Sequence, residues 1–457
     1  MTKLKLTSIH LLLLFVSIST VNIGLMAQSS GVLPERQRAQ LIDELLNDRL
    51  NNLLPSLMEK HSIDMWIVLS REYNEDPIIK TFLPATWHAA RRRTILVFYR
   101  SPDGKQWEKL AIARYNVGSS IKASWDMTRF PDQWDQLINI VTSRNPKSIA
   151  LNYSKSFGHA DGIDHTEYME FTQRLSPEYK NRVISAEPLA VAWLETRTER
   201  EMMVYPQLIS ITHDIIREGF SEKVITPGVT TTEDVVWWFR DRFRQLGLDT
   251  WFHPTVDIQR KDSSSQNGNR SFANRPAEEI ILPGDLLHVD IGITYLRLNS
   301  DIQQHAYVLE PGQSSVPPSI VSAFQNGNRV QDILTAQFKA GKTGNQILAD
   351  ALAECKKQGL EAVIYTHPIG YHGHAAGPTI GMWDNQGRTP GSGDYPLFPN
   401  TAYSIELNCS TSIPEWNKKV RIMLEEDGYF DQNGFRYING RQKEILLIPR
   451  TNPTINR

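Results

Sequence analysis

Cysteine is almost missing from this chain: Cys355 and Cys409 are its two thiols. That excludes a disulfide framework and a zinc site built on paired cysteines. What remains for the two is a structural role or, in an oxidising compartment, a single disulfide. Charge of one sign is also lacking. Lys and Arg number 49 against 51 Asp and Glu, a formal net charge of −2. Such balance excludes the basic stripe that a nucleic-acid binder needs to offset phosphate. The one dense basic run, Arg91–Arg93, leads into the apolar stretch Thr94–Tyr99 and reads as a solvated entry to a strand. Beyond the first thirty residues no run approaches the ~20 apolar residues of a membrane span. At 40% apolar and 22% charged, the composition is not that of a disordered chain.

What is present begins at the N-terminus. Lys3 and Lys5 precede the apolar run Leu11–Val16, a weaker apolar stretch reaches Met26, and Ala27 offers a small residue for cleavage. This layout assigns residues 1–27 to a secretory signal peptide and predicts an exported, periplasmic or secreted protein with no membrane attachment after processing. A chain of 457 residues is too long for one compact core, so two domains follow.

Residues 34–190 read as an α/β domain. An amphipathic helix from Pro34 to Glu59 carries Leu41, Leu45, Leu46 and Leu50 near helical spacing. Short apolar runs at Met65–Leu69, Thr94–Tyr99, Leu110–Arg114 and Ser148–Leu151 alternate with helical stretches. No cofactor fingerprint or nucleophile elbow lies there. A second domain spans 195–450. Its helices are predicted at Glu199–Ser221, Thr232–Leu246 with Thr231 or Thr232 as cap, Pro318–Ala340 and Gly344–Gly359. Its strands are predicted at Gly284–Tyr295, Asp301–Leu309, Ala362–Thr366, Thr401–Leu407, Lys419–Glu426 and Lys443–Ile448. Trp237, Trp238 and Phe239 on the second of these helices read as packing.

Within those strands, acids interrupt otherwise buried patterns. Leu287, Val289 and Ile291 share one face, which leaves Asp290 on the other. Tyr403, Ile405 and Leu407 likewise oppose Glu406. Val420, Ile422 and Leu424 form a third apolar face, placing Glu425 opposite it and Glu426 with the core. Asp301 follows Asp290 at a separation that a hairpin with an even-numbered loop would set directly across from it. Facing carboxylates there repel, so a cation between them is expected. Nitrogen comes from His367, His372 and His374, grouped with glycines directly after a strand.

The ordered text His288-Val-Asp290-Ile-Gly, Ser300-Asp301-Ile, Gly373-His374-Ala-Ala-Gly377, Ser404-Ile-Glu406 and Leu424-Glu425-Glu426-Asp427 resembles the pita-bread metallopeptidases. That group includes methionine aminopeptidase, aminopeptidase P, prolidase and the related creatinase. The resemblance implies a creatinase-like α/β N-terminal domain followed by an α+β pita-bread catalytic domain, a curved antiparallel sheet with helices on its convex face. It implies two divalent metal ions, manganese before cobalt, zinc or iron. Asp290 would hold one, His374 and Glu406 the other, and Asp301 and Glu425 would bridge. The implied activity is an aminopeptidase or dipeptidase, Xaa-Pro specificity being its narrower form, that hydrolyses peptide bonds with a metal-bridging water, Glu406 moving its proton. Relatives with this N-terminal domain are often homodimers.

Three departures accompany the match. Where the proline-specific members carry a histidine four residues before the ligand, this chain has Gly370, flanked by His367 and His372, either of which could supply the role. His372 also rivals His374 as the ligand. Where they carry one seven residues after it, this chain has Gly381, with Trp383 and Asp384 nearby. Ser263–Pro276, upstream of the first aspartate, has no histidine, and the nearest is His253, a candidate substrate contact. Arg421 could bind a substrate carboxylate or serve the acidic cluster. Two other readings therefore stand beside the peptidase: a metal-dependent hydrolase or lyase of a small non-peptide substrate, and a non-enzymatic binding module on the same scaffold. The five retained ligands argue against the second.

Overall fold

The computed structural model describes residues 31–261 and 278–450. The signal-peptide segment and nearly all of the polar stretch 260–276 lie outside the described residues. Among the described residues, no helix is long and apolar enough to cross a membrane.

The first helical segment is interrupted. An α-helix at Glu35–Asp48 opens into a wide π-turn at Arg49–Leu53 and resumes at Leu54–Lys60. Pro55, which lacks an N–H and crowds the carbonyl of the preceding turn, accounts for the break. Behind it stands a mixed sheet of β1 (Met65–Arg71), β2 (Arg93–Arg100), β3 (Trp107–Ile112), β4 (Lys122–Ala123), β5 (Ile149–Leu151) and β6 (Val183–Ser185), in the order β4-β3-β2-β1-β5-β6. Both faces are covered. Trp66, Val68, Leu96 and Phe98 enter one core cluster, and Met65, Ile67, Leu69 and Val97 enter another. Burial on two sides explains why these strands read as continuous apolar runs and not as alternation.

The second half begins with the helices Glu199–Gly219 and Thr232–Gln245, each started by a capping box, from Thr198 with Glu201 and from Thr231 with Asp234. Then come β7 (Asp249–Thr250), β8 (Thr255–Gln259), β9 (Leu286–Ile291), β10 (Ile293–Tyr295), β11 (Leu298–Asn299) and β12 (Ile302–Val308). Two helices, Pro318–Thr335 and Gly344–Lys357, precede β13 (Glu361–Ile364), β14 (His367–Ile369), β15 (Thr401–Ser404), β16 (Leu407–Ile413), β17 (Lys418–Leu424), β18 (Asp427–Asp431), β19 (Gly434–Tyr437) and β20 (Leu446–Ile448). They form sheets ordered β20-β12-β9-β8, β13-β16-β17, β14-β15-β18-β19 and β11-β10-β7.

The hairpin that carries the two aspartates differs from the expected register. Its two-residue loop is Leu296–Arg297, one residue later than the alignment of Asp290 with Asp301 requires. Asp290 therefore faces Gln303, and Asp301 lies one residue ahead of β12. The two aspartates are diagonal neighbours on one face, not direct partners. Both loop residues have positive φ, 55° and 66°, which is uncommon for such bulky side chains. Tertiary contacts hold them there. Leu296 is buried, and the Arg297 guanidinium donates to Leu83 O at 2.6 Å and Pro84 O at 3.0 Å in the first half of the chain.

The expected continuous strands near Glu406 and Glu425 are also broken. The chain passes from the β13-β16-β17 sheet to the β14-β15-β18 sheet at three adjacent places: between β13 and β14, between β15 and β16, and between β17 and β18. Tyr365 N donates to Glu406 O, and Ile405 N to Glu426 O, across these crossings. Tyr403, Ile405 and Leu407 still share one core cluster, so the face assignment survives the break. Cys355 and Cys409 are both buried free thiols, so there is no disulfide between them.

Candidate metal centre

The crossings bring Glu406 and Glu425 against the aspartates of the β9–β12 hairpin. Potential ligand atoms of Asp290, Asp301 and Glu425 lie within 4.8 Å of one another. The same holds for His367, Glu406 and Glu425, and for Asp301, His367 and His374. His367 Nε2 is 3.5 Å from both Asp301 Oδ2 and Glu425 Oε1. Ser404 Oγ donates to Glu425 Oε1 at 2.6 Å. Asp290 Oδ1, Asp301 Oδ1 and His367 Nε2 are buried without a hydrogen-bond partner.

Such crowding is electrostatically expensive. Burial first, and then the charge of Glu425, hold Asp290, Asp301 and Glu406 well above the ordinary carboxylate range. Burial pulls His367 down, but the close approach and charge of Glu425, and then the charge of Glu406, outweigh that and leave it raised. The orphaned acceptors and the oxygen-rich set with imidazole fit hard or borderline divalent cations.

The three histidines separate. His367 is buried in the acid cluster and faces both glutamates. His374 reaches Asp301 and His367 but stands at the exposed rim, its ring 4.7 Å from that of His367. Burial and then His367 lower its pKa to about 4. His372, the rival ligand, does not join the acids. Its ring lies 4.5 Å from that of His159 of the first half, tilted by 47°, and burial, His159 and Arg197 lower it to about 3. Glu426 points away from the cluster, bound by His213 Nε2 at 2.7 Å, Gln304 Nε2 at 2.8 Å and Gln442 N at 2.9 Å. Arg421 lies along Met423, 3.1 Å from its sulfur, with its backbone bound to the Gln259 side chain. His253 sits against Arg240 at 3.0 Å and beside Trp237.

Sequence reasoning passed over two residues. Gln303, opposite Asp290, bonds both glutamates. Trp251 donates to Ser300 O at 2.9 Å and stands 5.1 Å from the His374 ring. A Cβ on Gly292 or Gly373 would come within 2.2 Å and 2.3 Å of its indole, so both glycines make room for it. A Cβ on Gly370 would lie a tight 3.1 Å from the buried Arg197 guanidinium, and one on Gly381 would lie 2.2 Å from Ile364 O, which leaves no room there. A cavity of about 1120 Å³ between the two halves, lined by Lys80, Trp87, Trp251, Arg297 and His374 among others, reaches the cluster at His374.

Residues 207–428 match the family model for metallopeptidase family M24. In its C-terminal half, this chain is a member of metallopeptidase family M24. Its likeness to solved structures covers both halves. The X-Pro aminopeptidase from Thermotoga maritima MSB8 is 17% identical, with a TM-score of 0.60 over 88% of this chain and 100% of that one. The Xaa-Pro dipeptidase from Bacillus anthracis is 16% identical, with a TM-score of 0.55 over 91% and 100%. The prolidase from Pyrococcus furiosus is 15% identical, with a TM-score of 0.53 over 85% and 100%. No curated protein sequence matches the chain. At these identities the structures establish the fold: an α/β N-terminal part followed by the pita-bread architecture of M24, a metal-dependent family.

Proposed function

We propose that this M24 member is a dinuclear aminopeptidase or dipeptidase that cleaves Xaa-Pro bonds. The observation that carries the reading is the convergence of Asp290, Asp301, Glu406, Glu425 and His367, with orphaned acceptors, at the end of a cavity large enough for a peptide. Asp301 and Glu425 belong to two ligand groups each and suit a bridging role. The imidazole facing Glu406 and Glu425 is that of His367, with His374 at the rim. The oxygen-rich donor set and the family resemblance favour manganese. When bound, two divalent ions polarise the scissile carbonyl and lower the pKa of the attacking water.

The chain's own groups supply the rest. Glu406 keeps one oxygen on Gln303 and has the other for taking a proton from water and passing it to the leaving amine. His374, neutral and exposed, is placed to donate a hydrogen bond to substrate at the cavity mouth. The N-terminal signal layout supports export before any of this takes place.

A second reading rests on Val363, which stands four residues before His367 where proline-specific relatives carry a histidine, although His374 does stand seven residues after His367. It is metal-dependent hydrolysis or lysis of a small non-peptide substrate. Manganese-loaded mature protein, assayed on Xaa-Pro dipeptides, longer Xaa-Pro peptides and unrelated dipeptides, separates the two. Turnover confined to the proline substrates is expected, and silence on all three with metal bound would favour the non-peptide reading. Asp301→Ala should sharply lower metal content below about two equivalents, and an unchanged content would overturn the site assignment.

A further inference from the structure

Gln303 has no part in the chemistry above, yet it is more heavily engaged than any ligand. Its side chain is buried. Both amide hydrogens are used: Nε2 donates to Glu406 Oε1 at 2.9 Å and to Glu425 Oε2 at 2.7 Å. Its Oε1 meets His288 Nε2 at 2.9 Å, and His288 Nδ1 lies 3.3 Å from Asp257 Oδ2. Its backbone N and O pair with Glu425 O and N at 3.0 Å and 3.3 Å, and its Cα partner across the hairpin is Asp290.

We propose that Gln303 is a positioning residue that sets the spacing between Glu406 and Glu425, and that His288, backed by Asp257, fixes which way its amide faces. The inference rests on the metal reading above. An ionised carboxylate only accepts hydrogen bonds, so a reversed amide would aim its oxygen at two acceptors and strand them. With both ring nitrogens of His288 donating, Nε2 to Oε1 and Nδ1 to Asp257 Oδ2, one orientation satisfies every group. The amide NH₂ then spans the two glutamates, whose backbones lie opposite each other between the pairs Ser404–Asp427 and Leu407–Leu424 but whose carboxylates repel. Each carboxylate gives up one acceptor position to the amide and retains others for a cation. Loss of the tether lets like charges move apart, and the ion that depends on both Glu406 and Glu425 suffers most.

Calorimetric titration of manganese into metal-free protein tests this, with unfolding temperature followed in parallel. Gln303→Met keeps the volume and removes the donors, and should weaken the second ion about tenfold or more while the first changes less. His288→Phe leaves the amide in place but frees its orientation and should weaken the same ion by a smaller factor. The double variant should be no weaker than Gln303→Met alone, because His288 acts through Gln303. Wild-type affinity for both ions in folded Gln303→Met, or additive effects in the double variant, would overturn the inference. Should Gln303→Met not fold, unchanged manganese affinity in His288→Phe overturns it instead. Wild-type protein that takes up no manganese would overturn the metal reading, and this inference with it.

Discussion

Manganese added to metal-free protein should raise its unfolding temperature, and by more at pH 8 than at pH 5. Folding packs Asp290, Asp301 and Glu406 around Glu425, and burial followed by that neighbour's charge raises all three carboxyls. An acid raised in the folded state favours folding fully only below its unfolded pKa, near 4, and that contribution is lost as pH rises through the folded value. The metal-free cluster is thus relieved by protons at acid pH and strained above neutrality. A divalent cation competes for the same oxygens, so its effect grows as the protons leave. At 100-fold excess over its Kd, one ion adds about 2.7 kcal/mol. At roughly 2–4 °C per kcal/mol for a domain of this size, that is an upshift of about 5–10 °C for each ion. Scanning fluorimetry after chelation, with and without manganese at each pH, reads the difference directly. Asp76 and Glu195, raised by burial to about 7 and about 8, also titrate in this range but are common to both arms. An equal shift at pH 5 and pH 8, or none at pH 8, would refute the assignment of these carboxylates as the ions' ligands.

Gly373→Ala should cost about 1–3 kcal/mol in urea unfolding, because its Cβ would lie 2.3 Å from the Trp251 indole; an unchanged midpoint contradicts the packing. Glu425→Gln should lose bound metal. Glu426→Gln should keep its metal content but lose stability by disturbing the His213, Gln304 and Gln442 contacts, and elemental analysis with thermal melts tells the two apart. Arg297→Ala removes two charge-assisted bonds to Leu83 O and Pro84 O, worth about 1.5–3 kcal/mol each. It should open the seam between the halves to limited proteolysis, and a digestion pattern like that of the unaltered protein would count against the clamp. Cys355 and Cys409 should resist a thiol reagent in the folded protein and both react once it is unfolded; finding no titratable thiol then would mean that they pair.

Sequence alternation located the acids because it is local. The side chain of a strand residue is committed to one face by its neighbours two positions away, so Asp290, Glu406 and Glu425 stood out, and Glu425 separated from Glu426. Register was less legible. Nothing near Leu296 and Arg297 announces a tight turn, since their positive φ is upheld by backbone oxygens more than 200 residues away. One displaced residue in the loop moved Asp301 off Asp290 and put Gln303 there. The histidines followed the same rule. Flanking glycines drew attention to His374, but Gly373 is small for the sake of Trp251, whereas His367 faces the acids because β14 pairs it with Ser404 beside them. The sheet crossings at 405–406 and 425–426 leave no mark in hydrophobic periodicity, because Ile405 remains in the core through the break.

The contact between Arg297 and the first half of the chain bears on how freely the two halves could be recombined. The acceptors it uses are peptide carbonyls, not side chains, so Leu83 and Pro84 could be replaced while the clamp persisted. The path of the backbone there could not. Chimaeras that graft another α/β domain onto this catalytic half should be tolerant of substitution along that loop and intolerant of a one-residue insertion in it. The loop's length, more than its composition, would then be what is inherited with the hairpin that presents Asp290 and Asp301.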